Sequence, residues 1–252
     1  MHFLPRPALF LVGLFLVLSL VAPLPYAVLE PGGGKDVLGN VIDIQGARTY
    51  PTSGKLLLTT VLATSPSSPI FGANVLYAWM KGDFIVLPRE VLYPPNVSSS
   101  QIDARNTADM TGSQQAATAA ALSYLGYPRT QKAVRVAITL KDTGGPSGGL
   151  VFALGIIAKL SKVDLLAGRT VAGTGTMNGS GHVGAIGGIE DKFIAARRAG
   201  ATVFIAPSEN CADVHHIPKG LVVYSVSSLR EAVSVLKDPK TAISHCTWQR
   251  NR

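Results

Sequence analysis

Cysteine is nearly absent. Cys211 and Cys246 are the only two in 252 residues, which excludes a disulfide-dense scaffold. Charge is scarce too, at 15% of residues. Lys and Arg outnumber Asp and Glu to give a formal +8, yet no dense basic run occurs and basic residues are not interleaved with aromatics. That pattern does not indicate a nucleic-acid partner; it suits a surface facing anionic lipid or cell wall. Phosphate-binding loops are missing as well. "GGGK" at 32–35 lacks the first glycine of a P-loop and is followed by Asp36, and "GTGTMNGSG" does not space its glycines as a dinucleotide-binding loop does. The adjacent His215 and His216 have no third ligand at a familiar metal-site spacing. The expectation is a chain without metal or cofactor.

What the sequence does hold is apolar: 47% of residues are hydrophobic, enough for one or two domains with a proper core. Part of this lies at the N-terminus, where Arg6 precedes "ALFLVGLFLVLSLVAPL", about 17 residues without a charge and at the short end for a spanning helix. Neither cleavage position fits a signal peptide. A cut after Ala22 leaves Pro23 next to it, and a cut after Ala27 puts Pro25 where a small residue is wanted. Residues 1–25 therefore read as an uncleaved single-pass anchor in the cell membrane. Arg6 and the free amine hold its start in the cytoplasm, leaving the body extracytoplasmic. In such a setting Cys211 and Cys246 are a candidate disulfide.

Residues 26–127 are expected to form an N-terminal region of short strands and an alanine-rich helix. "GNVIDIQG" and "GKLLLTTVLAT" read as strands, "GANVLYAWMKGDFIVLPREVLYP" as a helical stretch followed by a second apolar run, and Met110–Leu125 as a helix stopped by Gly126. Residues 128–252 alternate strand and helix. "VRVAITL", "TVFIAP" and "LVVYSV" are strands. "LVFALGIIAKLS" is a helix apolar on nearly every face, "IEDKFIAARRAG" one with acids first and arginines last, and "SSLREAVSVLK" an amphipathic one. The fold class is α/β, in a mixed α+β arrangement.

"GGPSGGL" at 144–150 sets Ser147 among four glycines. Such a loop is either a glycine turn before a helix or a nucleophile seated where backbone can reach a substrate carbonyl. Pro146 suits a helical first turn, placing the hydroxyl at a helix N-terminus with unpaired N–H groups; the backbone around Gly145, Pro146 and Gly148 is the candidate oxyanion site. The string also satisfies G-x-S-x-G, but "KDTGGP" separates the serine from the preceding strand, unlike a nucleophile elbow.

A serine nucleophile needs a base. His182 lies in a glycine turn, His215 and His216 in a polar loop, His245 in the tail, none in a setting built to orient an imidazole. Lys192 differs: three, four and seven residues on stand Ala195, Ala196 and Ala199, a small apolar face that lets the amine lie against another element and lose water. Lowering a lysine pKa to near 7 costs roughly 4–5 kcal/mol. The pattern leaves open a desolvated base or a lysine snorkelling to solvent.

Together "GGPSGG", "RTVAGTGTM", "GHVGAIGGIEDKFIAARRAGA" and "VFIAPSEN" resemble the proteolytic domain of Lon-type serine peptidases, which use a Ser–Lys dyad. The resemblance places the nucleophile on Ser147, the general base on Lys192 and the supporting threonine on Thr174. The N-terminal "PYAVLEPGGGKDVLGNVIDIQGARTYPTSGKLLLTTV" and "MTGSQQAATAAALSYLGY" are similar to the membrane-anchored Lon-like peptidases of actinobacteria. Two departures stand out: six residues separate Tyr127 from Val134 where those proteins carry a PDZ domain, and Gly144 stands where cytosolic relatives often have an acid. The resemblance implies a Lon proteolytic-domain fold behind a transmembrane helix, and an ATP-independent endopeptidase acting on flexible or unfolded polypeptides. It also makes homo-oligomers plausible. The alternative is a non-catalytic surface module that keeps the fold and serves in peptide binding or assembly. A Ser–His–Asp esterase built on His182 is a third reading.

Overall fold

The computed structural model describes residues 5–127, 134–140, 143–238 and 240. In chain order its elements are α1 (Arg6–Val21), β1 (Pro23–Leu24), β2 (Tyr26–Asp36), β3 (Ile42–Gln45), β4 (Lys55–Ala63), β5 (Ile70–Phe71), α2 (Gly72–Lys81), β6 (Ile85–Pro88), α3 (Arg89–Leu92) and α4 (Ser99–Tyr124). There follow β7 (Arg135–Ile138), α5 (Gly149–Leu160), β8 (Thr170–Gly173), β9 (Thr176–Met177), β10 (Val183–Gly184), α6 (Ile189–Arg198), β11 (Val203–Pro207), β12 (Val222–Val226) and α7 (Leu229–Lys237).

These elements gather into two compact units. One is the chain up to Pro31 with Leu62–Gln101; the other is Gly32–Val61 with the chain from Ile102 onward. The division expected after residue 127 is not where the units part. Ile42 of β3, Leu56 and Leu58 of β4, and Ala117 and Ala121 of α4 complete the core of the C-terminal half, so they belong with it.

In the larger unit β12, β11, β8 and β4 run side by side and parallel, with β2 beyond β4. A parallel sheet is covered on both faces, and its side chains alternate accordingly. Leu56, Leu58, Val171, Ile205 and Val226 face a core shared with α5 and α7. Leu57, Ala172, Phe204 and Val223 face the other side, where α6 contributes Ile189, Phe193 and Ala196. The Phe193 and Phe204 rings meet edge to face at 4.8 Å. β3 pairs with β7, Ile42 opposite Ile138, and α5 is buried along Leu150–Ala158, as its all-round apolar sequence predicts.

β2 continues through "PGGG". A β-carbon on Gly32 would strike the backbone of Thr60, and one on Gly34 would come within 2.7 Å of Ala199 Cβ. These glycines serve close approach rather than a change of direction. α4 starts at Ser99 instead of Met110, because the polar residues 99–109 form a helix without the apolar stripe that would announce it.

In the smaller unit β6 pairs antiparallel with the start of β2, Tyr26 opposite Pro88 and Leu29 opposite Ile85, and α1 lies on α2. A side chain on Gly72 would run into the backbone carbonyl of Ser19. The expected spanning helix is not found. α1 has 16 residues, a rise of about 24 Å against a hydrocarbon core of about 30 Å. Among the described residues no helix is long and apolar enough to cross a membrane. Proline sets the limit: Pro23 holds Ala22 in extended backbone, φ −68° and ψ 133°.

Candidate active site

The nucleophile loop is shaped by its glycines. Gly145 takes φ 84° and ψ 164°, a region that side chains do not tolerate. Pro146 then opens a single 3-10 turn, Pro146–Gly148, that feeds α5. A β-carbon on Gly148 would come within 2.8 Å of the Phe152 ring, and one on Gly149 within 2.7 Å of Met177 Cβ. Only glycine lets the turn sit this deep. Ser147 thereby enters at the head of a buried helix.

Lys192 reaches it from α6, on the other side of the sheet. Its side chain does not snorkel: the residue is 4% exposed. Nζ lies 2.8 Å from Ser147 Oγ and donates to Thr174 Oγ1 at 3.0 Å. Thr174, fully buried just beyond β8, donates its own hydroxyl to the carbonyl oxygen of Ser147 at 3.0 Å. The Gly175 N–H donates to that same carbonyl at 2.9 Å. The three residues expected to act together are thus brought together.

Burial pushes the Lys192 ammonium down from its ordinary 10.5 to about 8. The cause is loss of water around the charge, which penalises the protonated form. At pH 7 about one molecule in ten then carries a neutral amine able to take a proton. The cost is on the order of 3 kcal/mol, less than the expected shift to near 7 requires.

The candidate oxyanion donors need correction. Pro146 has no N–H to offer, and the N–H of Gly145 is committed to the carbonyl of Asn106 at 3.1 Å. Of the three, Gly148 alone keeps an N–H suited to the task.

The histidines stand elsewhere. His182 Nε2 lies 3.4 Å from Glu209 Oε1, both about half exposed, while the Ser147 hydroxyl is paired with Lys192. The backbone N–H groups of His215 and His216 donate to Glu190 Oε1, fixing that loop to the first turn of α6. Among the described residues no group of three or more His, Cys, Asp or Glu could hold a metal. Cys211 sits in the 3-10 segment Ser208–Asp213; its expected partner Cys246, like His245, lies outside the described residues.

One side chain at the site was not anticipated. Ser113 of α4, buried, donates its hydroxyl to the carbonyl oxygen of Pro146 at 2.9 Å. A serine on the inner face of an otherwise alanine-lined helix was the signal that could have found it.

Residues 115–237 match the family "Lon protease (S16) C-terminal proteolytic domain". Lon protease of Citrifermentans bemidjiense is 41% identical over 91 residues, 34% of this chain and 11% of its own length. Lon protease 2 of Herpetosiphon aurantiacus is 30% identical over 160 residues, 55% of this chain and 19% of its own length. Lon protease of Buchnera aphidicola subsp. Schizaphis graminum is 34% identical over 101 residues, 38% and 12% of the two lengths. The chain therefore spans between a tenth and a fifth of these relatives. Residues 115–237 are thus similar to a Lon-type proteolytic domain, and the mixed α/β fold fits one.

Proposed function

We propose that the chain is an ATP-independent serine endopeptidase in which Ser147 is the nucleophile and Lys192 the general base, acting on flexible or unfolded polypeptides. The observation that carries this is the 2.8 Å approach of a buried, water-stripped amine to the serine hydroxyl. Neutral Lys192 takes the Ser147 proton as Oγ attacks the peptide carbonyl. The Gly148 N–H receives the oxyanion. The tetrahedral intermediate collapses as the C–N bond breaks, and the Lys192 ammonium gives its proton to the departing amine. Water then takes the amine's place: Lys192 removes its proton, the hydroxide attacks the acyl carbonyl, and Ser147 leaves with the proton returned. Thr174 holds the amine in line.

The proposal includes an extracytoplasmic setting, with residues 1–25 holding the body to the membrane. What supports it is the uncharged run after Arg6 and the exposure of α1, whose Phe10 and Phe15 are about 70% exposed.

A fluorophosphonate probe tests the dyad. Label on Ser147 of the wild type, lost in Lys192→Ala, is the expected result; a chain inert across pH 6–10 would favour the non-catalytic binding module instead.

A further inference from the structure

The peptide planes on either side of Ser147 are both anchored by their carbonyls. The plane after it is held where Thr174 Oγ1 and the Gly175 N–H meet the Ser147 carbonyl. The plane before it is held at the Pro146 carbonyl, which receives the Gly149 N–H and, from α4, the Ser113 hydroxyl. The described peptide bonds are trans, so each N–H points opposite its carbonyl. Anchoring the Pro146 carbonyl therefore aims the N–H of Ser147, and anchoring the Ser147 carbonyl aims that of Gly148. Those two N–H groups belong to the residue that bears the attacking oxygen and to the one after it.

We infer that Ser113 is a positioning residue of the peptidase: through the Pro146 carbonyl it aims the Ser147 N–H, which joins Gly148 in receiving the oxyanion. The helix is well placed for this. A serine inside a helix usually returns its proton to a carbonyl one turn back; Ser113 sends it across to the nucleophile loop. A β-carbon added to Gly149 would stand 2.9 Å from Ser113 Oγ, so the hydroxyl is wedged against the loop backbone. About two helical turns away, the Asn106 carbonyl takes the Gly145 N–H, and a side chain at Gly144 would come within 2.7 Å of Asn106 Cβ. No room exists for an acid at 144, and α4 supplies the support from outside the loop.

The inference rests on the Ser147–Lys192 reading, and one pair of variants separates the two. Ser113→Thr keeps the hydroxyl and Ser113→Val has the same shape without it, so packing cancels between them. On a short peptide substrate Ser113→Val should lose about tenfold or more in kcat with KM within about twofold, because the loss falls on the transition state. Ser113→Thr should stay within about threefold of wild type. Affinity for a peptide boronate, which forms a tetrahedral adduct on the serine, should fall in Ser113→Val in step with kcat. The apparent pKa of the rate should not move, since Lys192 is untouched. Equal kcat in the two variants, whether both normal or both low, overturns the role given to Ser113. A wild type that neither labels nor cleaves overturns the dyad itself.

Discussion

Thr174 and Lys192, both buried, share a hydrogen bond of 3.0 Å. The threonine accepts from the amine while its own proton is held by the Ser147 carbonyl, so its lone pair faces the lysine in a fixed direction. Thr174→Val keeps the shape and removes the acceptor. Steady-state kinetics should show kcat lower by about 10- to 100-fold, with Thr174→Ser near wild type. A Thr174→Val enzyme of normal kcat would leave the threonine a packing residue only.

The rate should follow the protonation of Lys192. With its ammonium pushed down to about 8, kcat/KM should rise as pH climbs through that value and stay level above it, where an unburied lysine would require pH beyond 10. Lys192→Arg keeps a permanent charge and should be as inactive as Lys192→Ala. A pH profile flat from 6 to 10 would remove the lysine from the mechanism.

Stability should respond to pH with a definite sign. Below about 8 Lys192 is charged in both folded and unfolded chains, and the folded one bears the full desolvation cost. Between about 8 and 10.5 the unfolded chain binds more protons, so folding stability from this group increases with pH, by up to about 3 kcal/mol. Lys192→Met should therefore melt higher than wild type at pH 7, and the gap should close as pH rises toward 10.5. Scanning calorimetry at pH 7 and pH 10 tests this.

Cys211 and Cys246 are proposed to pair. The bond would close a loop of about 34 residues and stabilise by something like 3–4 kcal/mol on the chain-entropy account. The Cys211→Ser, Cys246→Ser double variant should melt lower yet cut at a near-normal rate at low temperature. Mass spectrometry of the unreduced protein should show a mass two hydrogens lighter than the dithiol.

Much of the site was legible because it is local in sequence. The glycines of 144–149 announce a backbone with no room for side chains, and Ala195 and Ala196 announce a close-packed face beside Lys192. What escaped was tertiary. Ser113 acts 34 positions before Ser147 through one hydrogen bond; its place on the buried stripe of α4 marks it as inward-facing but not what it meets. The oxyanion donors were misjudged because the loan of the Gly145 N–H to Asn106 is invisible without α4 in place. β2 was hidden by "PGGG", whose glycines answer to Thr60 and Ala199, residues far off in the chain. The N-terminal run gave its apolarity correctly and its length wrongly, since Pro23 stops the helix while the apolar sequence continues.

The contact at Gly72 bears on how the protein is handled. Helix α2 presents Leu76, Tyr77, Trp79 and Met80 to solvent, Trp79 at 79%, and its first residue is pressed against the backbone of α1 at Ser19. Cutting the chain at residue 25 to improve solubility would strip α2 of that neighbour and remove β1, the partner of β5. The shortened protein would trade one greasy helix for another with its packing undone, and should aggregate more readily than the full chain kept in mild detergent.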